Sequence, residues 1–214
     1  MKTDYHCHIL PGLDDGAKDL DEAVFLARKL VEWGYGKVIC TPHSSYLYHN
    51  TPSTVLSAFT ELQSTLKKNN INLELSPSME YRIIPEVWPE FCKNRSLLSP
   101  WEGNHILIEF PIRGYEFFGE LDPIEEINKL ISDGYKPVLA HPERYHYMGL
   151  TEYDRLLGIG CEFQMNIASI HGFYDEETKQ RAIDVKNRGW YKFEGTDLHN
   201  KRCADFYDNI LLNQ

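Results

Sequence analysis

Two histidines separated by one residue, His6 and His8, begin a set of potential metal ligands that extends along the chain. In an extended strand, side chains at positions i and i+2 point to the same face, so both imidazoles can bind one metal ion while Cys7 points away. Asp197 and His199 repeat this spacing near the other end of the sequence. An isolated H-x-H pattern often arises by chance, so a metal site requires a fold that brings these residues together.

Short apolar or β-branched segments alternate with amphipathic helical segments along the whole chain. The seven predicted strands are DYHCHI, KVICT, LELSPSMEY, HILIEF, KPVLA, CEFQMN and WYKFEG. This alternation predicts a parallel sheet, and the lack of a glycine-rich dinucleotide fingerprint disfavours the open, doubly wound form. We therefore predict an α/β fold, specifically a closed or nearly closed (β/α) barrel, in a single domain over residues 1–214.

Three of the helical segments carry recognisable end signals. The segment DLDEAVFLARKLVEWG places Leu20, Val24, Ala27 and Val31 on one predicted apolar face and ends at Gly34. The segment TPSTVLSAFTELQSTLKK begins with a threonine–proline pair suited to the N-cap and first helical positions. The segment LDPIEEINKLISDG ends, like the first, at a glycine.

The potential ligands lie where the predicted strands end, which is where α/β barrels place their active-site loops. These residues are His6, His8, His43, Glu80, Glu109, His141, Asp197 and His199. Asp14 and Asp15 follow the first strand, where they can cap the next helix or one of them can bind metal. The joint pattern predicts a polynuclear metal site. Imidazole and carboxylate ligands without thiolate suit Mn, Fe, Co or Zn rather than Cu(I).

Other nucleophiles used by phosphatases and hydrolases lack their residues in this chain. No cysteine is followed by arginine at the sixth position, which excludes a cysteine phosphatase loop. The segment DLDEA lacks the last residue of a phosphoaspartate motif, and no G-x-S-x-G is present. By elimination, a metal-activated water is the nucleophile that the sequence can supply.

Composition restricts the partners and the compartment. The formal net charge of −10 opposes binding to nucleic acid. No uncharged apolar segment is long enough to span a bilayer, and the few residues before His6 leave no room for a secretory signal. The five cysteines form no C-x-x-C pair, which argues against a disulfide framework and a zinc ribbon. We expect a cytoplasmic protein without membrane insertion.

Several segments together resemble the PHP (polymerase and histidinol phosphatase) superfamily: HCHILPGLDDGAKDLDEAVFLARKLVEWGY, TPH, SMEY, LIEF, AHPERY and GTDLHN. Within that superfamily, the chain is similar over nearly its whole length to the bacterial tyrosine-protein phosphatases of capsular and exopolysaccharide biosynthesis. The resemblance implies a distorted (β/α)7 barrel, a trinuclear site that depends on manganese, and removal of phosphate from tyrosines of a partner bacterial tyrosine kinase.

The resemblance also implies roles for individual residues. The implied metal ligands form three groups: His6, His8 and Asp197; Glu80, Glu109 and His141, with Glu80 bridging to the first ion; and Asp15, His43 and His199. The residues implied to bind the substrate phosphate are Arg144 and Arg202. Aromatic residues near the predicted site are candidates for a pocket around the phenol ring: Tyr46, Tyr48, Tyr81, Tyr115 and Tyr145.

Two alternative functions stay open at this point. The same scaffold suits a small-molecule phosphatase such as histidinol-phosphate phosphatase, for which Glu116 or Glu120 could recognise the substrate amine. A metal-stabilised protein that binds a kinase without turnover is the other alternative, because metal ligands also serve structural sites. All the proposed ligands and both arginines are present, which weighs against a protein without turnover. Three divalent ions with four carboxylates would leave about two positive charges, which suits a phosphate dianion.

Overall fold

The computed structural model describes residues 1–212. Within these residues the strands are β1 (Lys2–Cys7), β2 (Tyr35–Cys40), β3 (His43–Ser44), β4 (Glu74–Pro77), β5 (Glu80–Arg82), β6 (His105–Glu109), β7 (Lys136–Ala140), β8 (Glu162–Asn166) and β9 (Tyr191–Gly195). The α-helices are α1 (Leu20–Glu32), α2 (Pro52–Lys68), α3 (Trp88–Lys93), α4 (Pro123–Ser132), α5 (Leu150–Gly158), α6 (Ile167–Ile170), α7 (Glu176–Asn187) and α8 (Lys201–Leu211). Short 3₁₀ helices occur at Arg95–Leu97, Tyr115–Phe118 and Pro142–Arg144.

The named strands in the described residues pair in parallel and form two sheets, in the orders β1-β2-β4 and β3-β5-β6-β7-β8-β9. The predicted strand LELSPSMEY reaches both sheets, because it contains β4 and the start of β5. The predicted strand KVICT lies in β2, and β3 of the other sheet follows two residues after it. Ser78 N donates to Cys40 O at 2.9 Å, and Glu80 N donates to Pro42 O at 3.1 Å, so pairing continues across both bends. The α/β prediction is therefore confirmed.

The first strand also contacts the segment that follows the last strand. His8 N donates to Leu198 O at 3.0 Å, and Asp197 N donates to His6 O at 2.8 Å. These bonds join the two ligand-bearing ends of the sequence directly, while β1 and β9 belong to separate sheets. The carboxyl ends of the parallel strands consequently face one common mouth.

The helices cover the sheets through apolar faces. Asp19 caps α1, and its carboxylate accepts from Glu22 N at 2.9 Å. The predicted face of this helix is partly wrong, because Leu26 and Leu30 are fully buried whereas Val31 is 39% exposed. The packing of α1 against β2, α2 and α8 selects this rotated face. Among residues 1–212, no helix combines the length and apolar composition needed to cross a membrane.

The predicted start of α2 is confirmed, and α4 begins in the same way. Thr51 precedes Pro52 at the start of α2, and its hydroxyl accepts from Thr54 N at 3.3 Å. Asp122 takes the same role before Pro123 in α4, where its carboxylate accepts from the first helical amides. Both helices thus begin at a capping side chain followed by proline.

Candidate metal centre

His6 and His8 point their Nε2 atoms at each other inside the barrel mouth, 3.0 Å apart. The other ring nitrogen of each histidine is held by an oxygen that accepts a hydrogen bond. His6 Nδ1 donates to Gln164 Oε1 at 2.8 Å, and His8 Nδ1 donates to Asp14 Oδ2 at 2.7 Å. With their protons on Nδ1, both rings present an Nε2 lone pair to the same space, which is the state that binds a metal ion.

Two carboxylates enter this space beside the imidazoles. Asp197 Oδ1 lies 3.4 Å from the Nε2 atom of each histidine. Glu80 Oε2 lies 3.4 Å from His6 Nε2 and 3.5 Å from His8 Nε2. Among the described residues, Glu80 Oε2 is buried and has no partner with hydrogen-bond geometry. Two imidazoles and two carboxylates thus bring potential ligand atoms together at one buried point, so the residues fit a metal ion.

Glu80 also joins the remaining ligand candidates at the mouth. Its Oε2 lies 2.8 Å from His43 Nδ1, and its Oε1 lies 3.2 Å from His141 Nε2. Glu109 Oε1 lies 3.9 Å from the same His141 nitrogen. The buried Glu80 carboxylate is therefore placed between several imidazoles, as a bridging ligand must be.

His199 and Asp15 lie at the outer side of this cluster. The His199 ring stacks on His8 with centroids 3.9 Å apart, and its Nδ1 donates to Asp197 O at 2.8 Å. Asp15 Oδ1 lies 3.6 Å from His43 Nε2 and 3.8 Å from His199 Nε2. The Asp15 side chain is 57% exposed, so this part of the cluster opens to solvent.

Three overlapping groups of side chains bring their potential ligand atoms within 4.8 Å of one another in the described residues. The groups are His6, His8 and Glu80; His8, His43 and His199; and His43, Glu80 and Glu109. Because the groups share members, the arrangement fits more than one ion in a single centre.

The pKa values of the clustered side chains also favour a bound cation. Burial disfavours protonation of His6, but the Glu80 and Asp197 carboxylates outweigh burial and raise the pKa of His6 to about 9. Conversely, the histidines overcome the effect of burial and hold the pKa of Glu80 and the pKa of Asp197 well below their ordinary values. The carboxylates thus stay ionised and attract a cation.

Sequence reasoning missed several residues that support the ligands. Arg82 Nε donates to Glu109 Oε2 at 2.6 Å, which leaves Oε1 directed at His141. Arg82 follows Glu80 by two residues on β5, and this i, i+2 spacing was the signal that could have found it. Asp14 does not cap α1, because its carboxylate accepts from His8 Nδ1 and from His43 N at 2.8 Å.

A further network surrounds the outer oxygen of Asp197. Asn166 Nδ2 donates to Asp197 Oδ2 at 2.8 Å, and the Tyr174 hydroxyl donates to the same oxygen at 3.3 Å. Arg144 NH1 lies 3.4 Å from it, and the Arg144 guanidinium stacks over the Tyr174 ring at 4.5 Å. The network therefore fixes Asp197 Oδ1 toward the histidines and places the Arg144 cation beside the cluster.

Backbone geometry at the mouth is specialised. His141 and Asp197 have positive φ values of 32° and 52°, which are uncommon for residues with side chains. Gly195 and Gly16 permit the close approach of neighbouring segments of the backbone. A Cβ atom on Gly195 would lie 2.5 Å from His6 Cβ, and one on Gly16 would clash with His8 O. Both histidines thus depend on a glycine beside them.

The other predicted site residues have different placements. Arg202 is exposed in the first turn of α8, and within residues 1–212 it has no hydrogen bond or ion pair with the cluster. Tyr81 and Tyr145 are fully buried, so neither forms an open phenol pocket. Tyr48 stacks near His43 with centroids 6.0 Å apart. Tyr174, which the sequence reasoning omitted, is the tyrosine that contacts both Asp197 and Arg144.

The sequence matches one protein family and several named relatives over nearly its whole length. The family described as "Capsular polysaccharide synthesis, CpsB/CapC" matches residues 2–205. The tyrosine-protein phosphatase YwqE of Bacillus subtilis (strain 168) is 33% identical over 212 residues, which cover 98% of this chain and 82% of the relative. The putative tyrosine-protein phosphatase CapC of Staphylococcus aureus is 26% identical over 214 residues, covering 99% and 82%.

Solved structures give the same relationship. A structure from work on YwqE of Bacillus subtilis and CpsB of Streptococcus pneumoniae, described as unique metal-dependent tyrosine phosphatases, matches with a TM-score of 0.85 and 32% identity. That match covers 99% of this chain and 85% of the solved chain. Histidinol phosphate phosphatase from Lactococcus lactis matches with a TM-score of 0.61 and 14% identity over 99% and 93% of the two chains, which shows a shared fold.

Proposed function

This chain belongs to the CpsB/CapC family of capsular polysaccharide synthesis proteins, and we propose that it is a metal-dependent protein-tyrosine phosphatase. Its relative YwqE is named a tyrosine-protein phosphatase and CapC a putative one, and a solved structure describes YwqE and CpsB as metal-dependent tyrosine phosphatases. The observation that supports the proposal most strongly is the pair of opposed imidazole lone pairs of His6 and His8, flanked by two ionised carboxylates. Such a site binds divalent ions and, through them, an anionic phosphate.

We assign the metal ligands as the family resemblance implies. They are His6, His8 and Asp197 for one ion; Glu80, Glu109 and His141 for a second, with Glu80 bridging; and Asp15, His43 and His199 for a third. Mn²⁺ is the proposed metal, and Fe, Co or Zn suit the same donor set. When bound, the ions would supply positive charge to the phosphoryl oxygens and an activated water at neutral pH.

The protein's own residues orient this chemistry. Gln164 and Asp14 hold His6 and His8 in the tautomer that leaves Nε2 free. Arg144 is placed beside Asp197, where its planar guanidinium can bind two phosphoryl oxygens at once. Arg202, exposed in the first turn of α8, is the second proposed phosphate ligand. A phenol leaving group has a pKa of about 10 and requires little general-acid assistance.

The proposed substrate is a phosphotyrosine on a bacterial tyrosine kinase that controls capsular or exopolysaccharide synthesis, and the proposed compartment is the cytoplasm. The protein carries a formal net charge of −10, so an anionic substrate must be attracted locally. The metal ions and Arg144 would supply that local positive charge.

The test uses protein stripped of metal with a chelator and then supplied with Mn²⁺. Hydrolysis of a phosphotyrosyl peptide and of histidinol phosphate is measured side by side, and bound metal is counted in the same sample. We expect Mn²⁺-dependent turnover that favours the peptide. Cleavage of the small phosphate alone would identify a small-molecule phosphatase, and metal binding without turnover of either substrate would identify a non-catalytic kinase-binding protein.

A further inference from the structure

Two clefts of about 330 Å³ each lie beside the barrel mouth. The inner cleft begins at Arg144 and Tyr174, the residues that contact Asp197, and continues along Arg113, His146 and Tyr147. The outer cleft is more apolar, and its lining includes Leu121, Ile124, Met148 and Leu156. Neither set includes a residue assigned above as a metal ligand.

Two loops contribute to both clefts. The loop after β6 supplies Arg113 to the inner cleft and Tyr115 to the outer cleft. The loop after β7 supplies Tyr147 to the inner cleft and Met148 to the outer cleft. Tyr115 and Tyr147 meet edge to face with centroids 4.7 Å apart, so one aromatic pair forms the ridge between the clefts. We name the two clefts and this ridge together, from Arg144 to Ile124, the flanking groove.

The flanking groove carries charges of both signs. Arg113 in the inner cleft and Arg155 in the outer cleft are both exposed. Within the part of the chain that the structure describes, neither arginine forms an ion pair with a carboxylate. Asp175 in the inner cleft and Asp122 in the outer cleft cap α7 and α4, and the Glu152 carboxylate accepts from Gly149 N at 2.8 Å, so the acidic side chains are held at helix starts. The two exposed arginines are left to pair with acidic side chains of a bound chain.

Its apolar part is also accessible. Tyr115 is 45% exposed at the ridge, and Ile124 is half-buried at the first turn of α4. When the phosphate of a phosphotyrosine binds beside Arg144, the neighbouring residues of the substrate lie next to the flanking groove. An extended peptide alternates its side chains, so one side chain can enter a pocket while the next stays in solvent.

We infer that the flanking groove binds the segment of the phosphorylated protein next to the phosphotyrosine and takes one large apolar side chain of that segment into the outer cleft. The inference rests on the proposed phosphatase function and adds a substrate preference to it. The expected ligand is an acidic phosphotyrosyl segment with a leucine-sized residue at a fixed distance from the phosphotyrosine.

The experiment measures kcat/KM for phosphotyrosyl peptides in which a single leucine is moved through each position on either side of the phosphotyrosine, in a glycine, serine and aspartate background. p-Nitrophenyl phosphate, which ends at its ring, serves as the substrate that cannot enter the outer cleft. Ile124→Trp fills the outer cleft, and Leu56→Trp is the matched control on the exposed face of α2. Leu121→Glu places a charge in the apolar outer cleft and covers the case in which Ile124→Trp folds poorly.

We expect one leucine position to raise kcat/KM about tenfold above the background peptide, because burial of a leucine side chain contributes at least that much. Ile124→Trp and Leu121→Glu should remove this preference, and Leu56→Trp should keep it, with p-nitrophenyl phosphate hydrolysis unchanged in all three. Hydrolysis without any leucine preference, or a preference that survives both groove variants, overturns the inference alone. Absence of metal-dependent hydrolysis of every substrate overturns the proposed function and this inference together.

Discussion

Gly195→Ala should remove metal from the protein although Gly195 is not itself a ligand. Gly195 ends β9 beside His6, and the added Cβ would lie 2.5 Å from His6 Cβ, 2.8 Å from His6 N and 2.9 Å from Gln164 Nε2. Ordinary carbon contacts begin near 3.5 Å, so β1 or β9 must move by about 1 Å. The shift affects both the ligand and the side chain that fixes its tautomer.

The size of the effect follows from this displacement. Misplacement of a reacting group by about 1 Å can lower the rate about 100-fold. Overpacking of a close contact costs about 1 to 3 kcal/mol of stability, which leaves an ordinary domain folded at 25 °C. We therefore expect Gly195→Ala to fold, to bind less metal and to lose about 100-fold in kcat/KM for a phosphotyrosyl peptide.

The assay combines metal analysis, steady-state kinetics and urea denaturation on the same preparations. Gly158→Ala is the matched control, because a Cβ at the end of α5 meets open space. This control should keep wild-type metal content and activity and be slightly stabilised. A folded Gly195→Ala protein with wild-type metal content and kcat/KM would refute the assignment of His6 and of the glycine contact beside it.

Three further perturbations separate positioning from ligation. Tyr174→Phe keeps the ring under the Arg144 guanidinium, whereas Tyr174→Leu removes the stacking. We therefore expect only the leucine variant to raise KM, by about tenfold. A larger rise in KM with the phenylalanine variant would contradict this role of the ring. Arg82→Met leaves the buried Glu109 carboxylate without its partner and should lower the free energy of unfolding by about 2 to 3 kcal/mol in urea, with partial rescue by Arg82→Lys. His141→Ala should abolish turnover and lower the metal content, whereas Arg144→Ala should keep the metal and raise KM; equal metal loss in both would contradict the assigned roles.

The convergence of the proposed ligands could be predicted from the sequence because strand spacing and strand direction determine it. The i, i+2 spacing puts His6 and His8 on one strand face, and the structure brings their Nε2 atoms to 3.0 Å. Parallel strands bring their carboxyl ends together, so Glu80 and His141 meet at 3.2 Å although 61 residues separate them. Each prediction needed only the local strand and the direction of the chain.

The residues that sequence reasoning missed act through partners that no local pattern specifies. Arg82 matters because Glu109 lies on the neighbouring strand, and Tyr174 matters because Arg144 comes from a different loop. The division of LELSPSMEY into β4 and β5 likewise depends on pairing with two different sheets. Val31 is exposed for the same reason, since the neighbours of α1 determine which of its apolar residues are covered.

The central claim is that one polynuclear metal centre forms between the strands at the barrel mouth. Anomalous X-ray diffraction from crystals of the protein prepared with Mn²⁺ tests it most directly, because it locates each ion independently of activity. We predict three anomalous peaks, one beside His6, His8 and Asp197, one between Glu80, Glu109 and His141, and one beside His43 and His199. An empty mouth in crystals that bind Mn²⁺ elsewhere, or a single ion without contact to Glu80, would contradict the account.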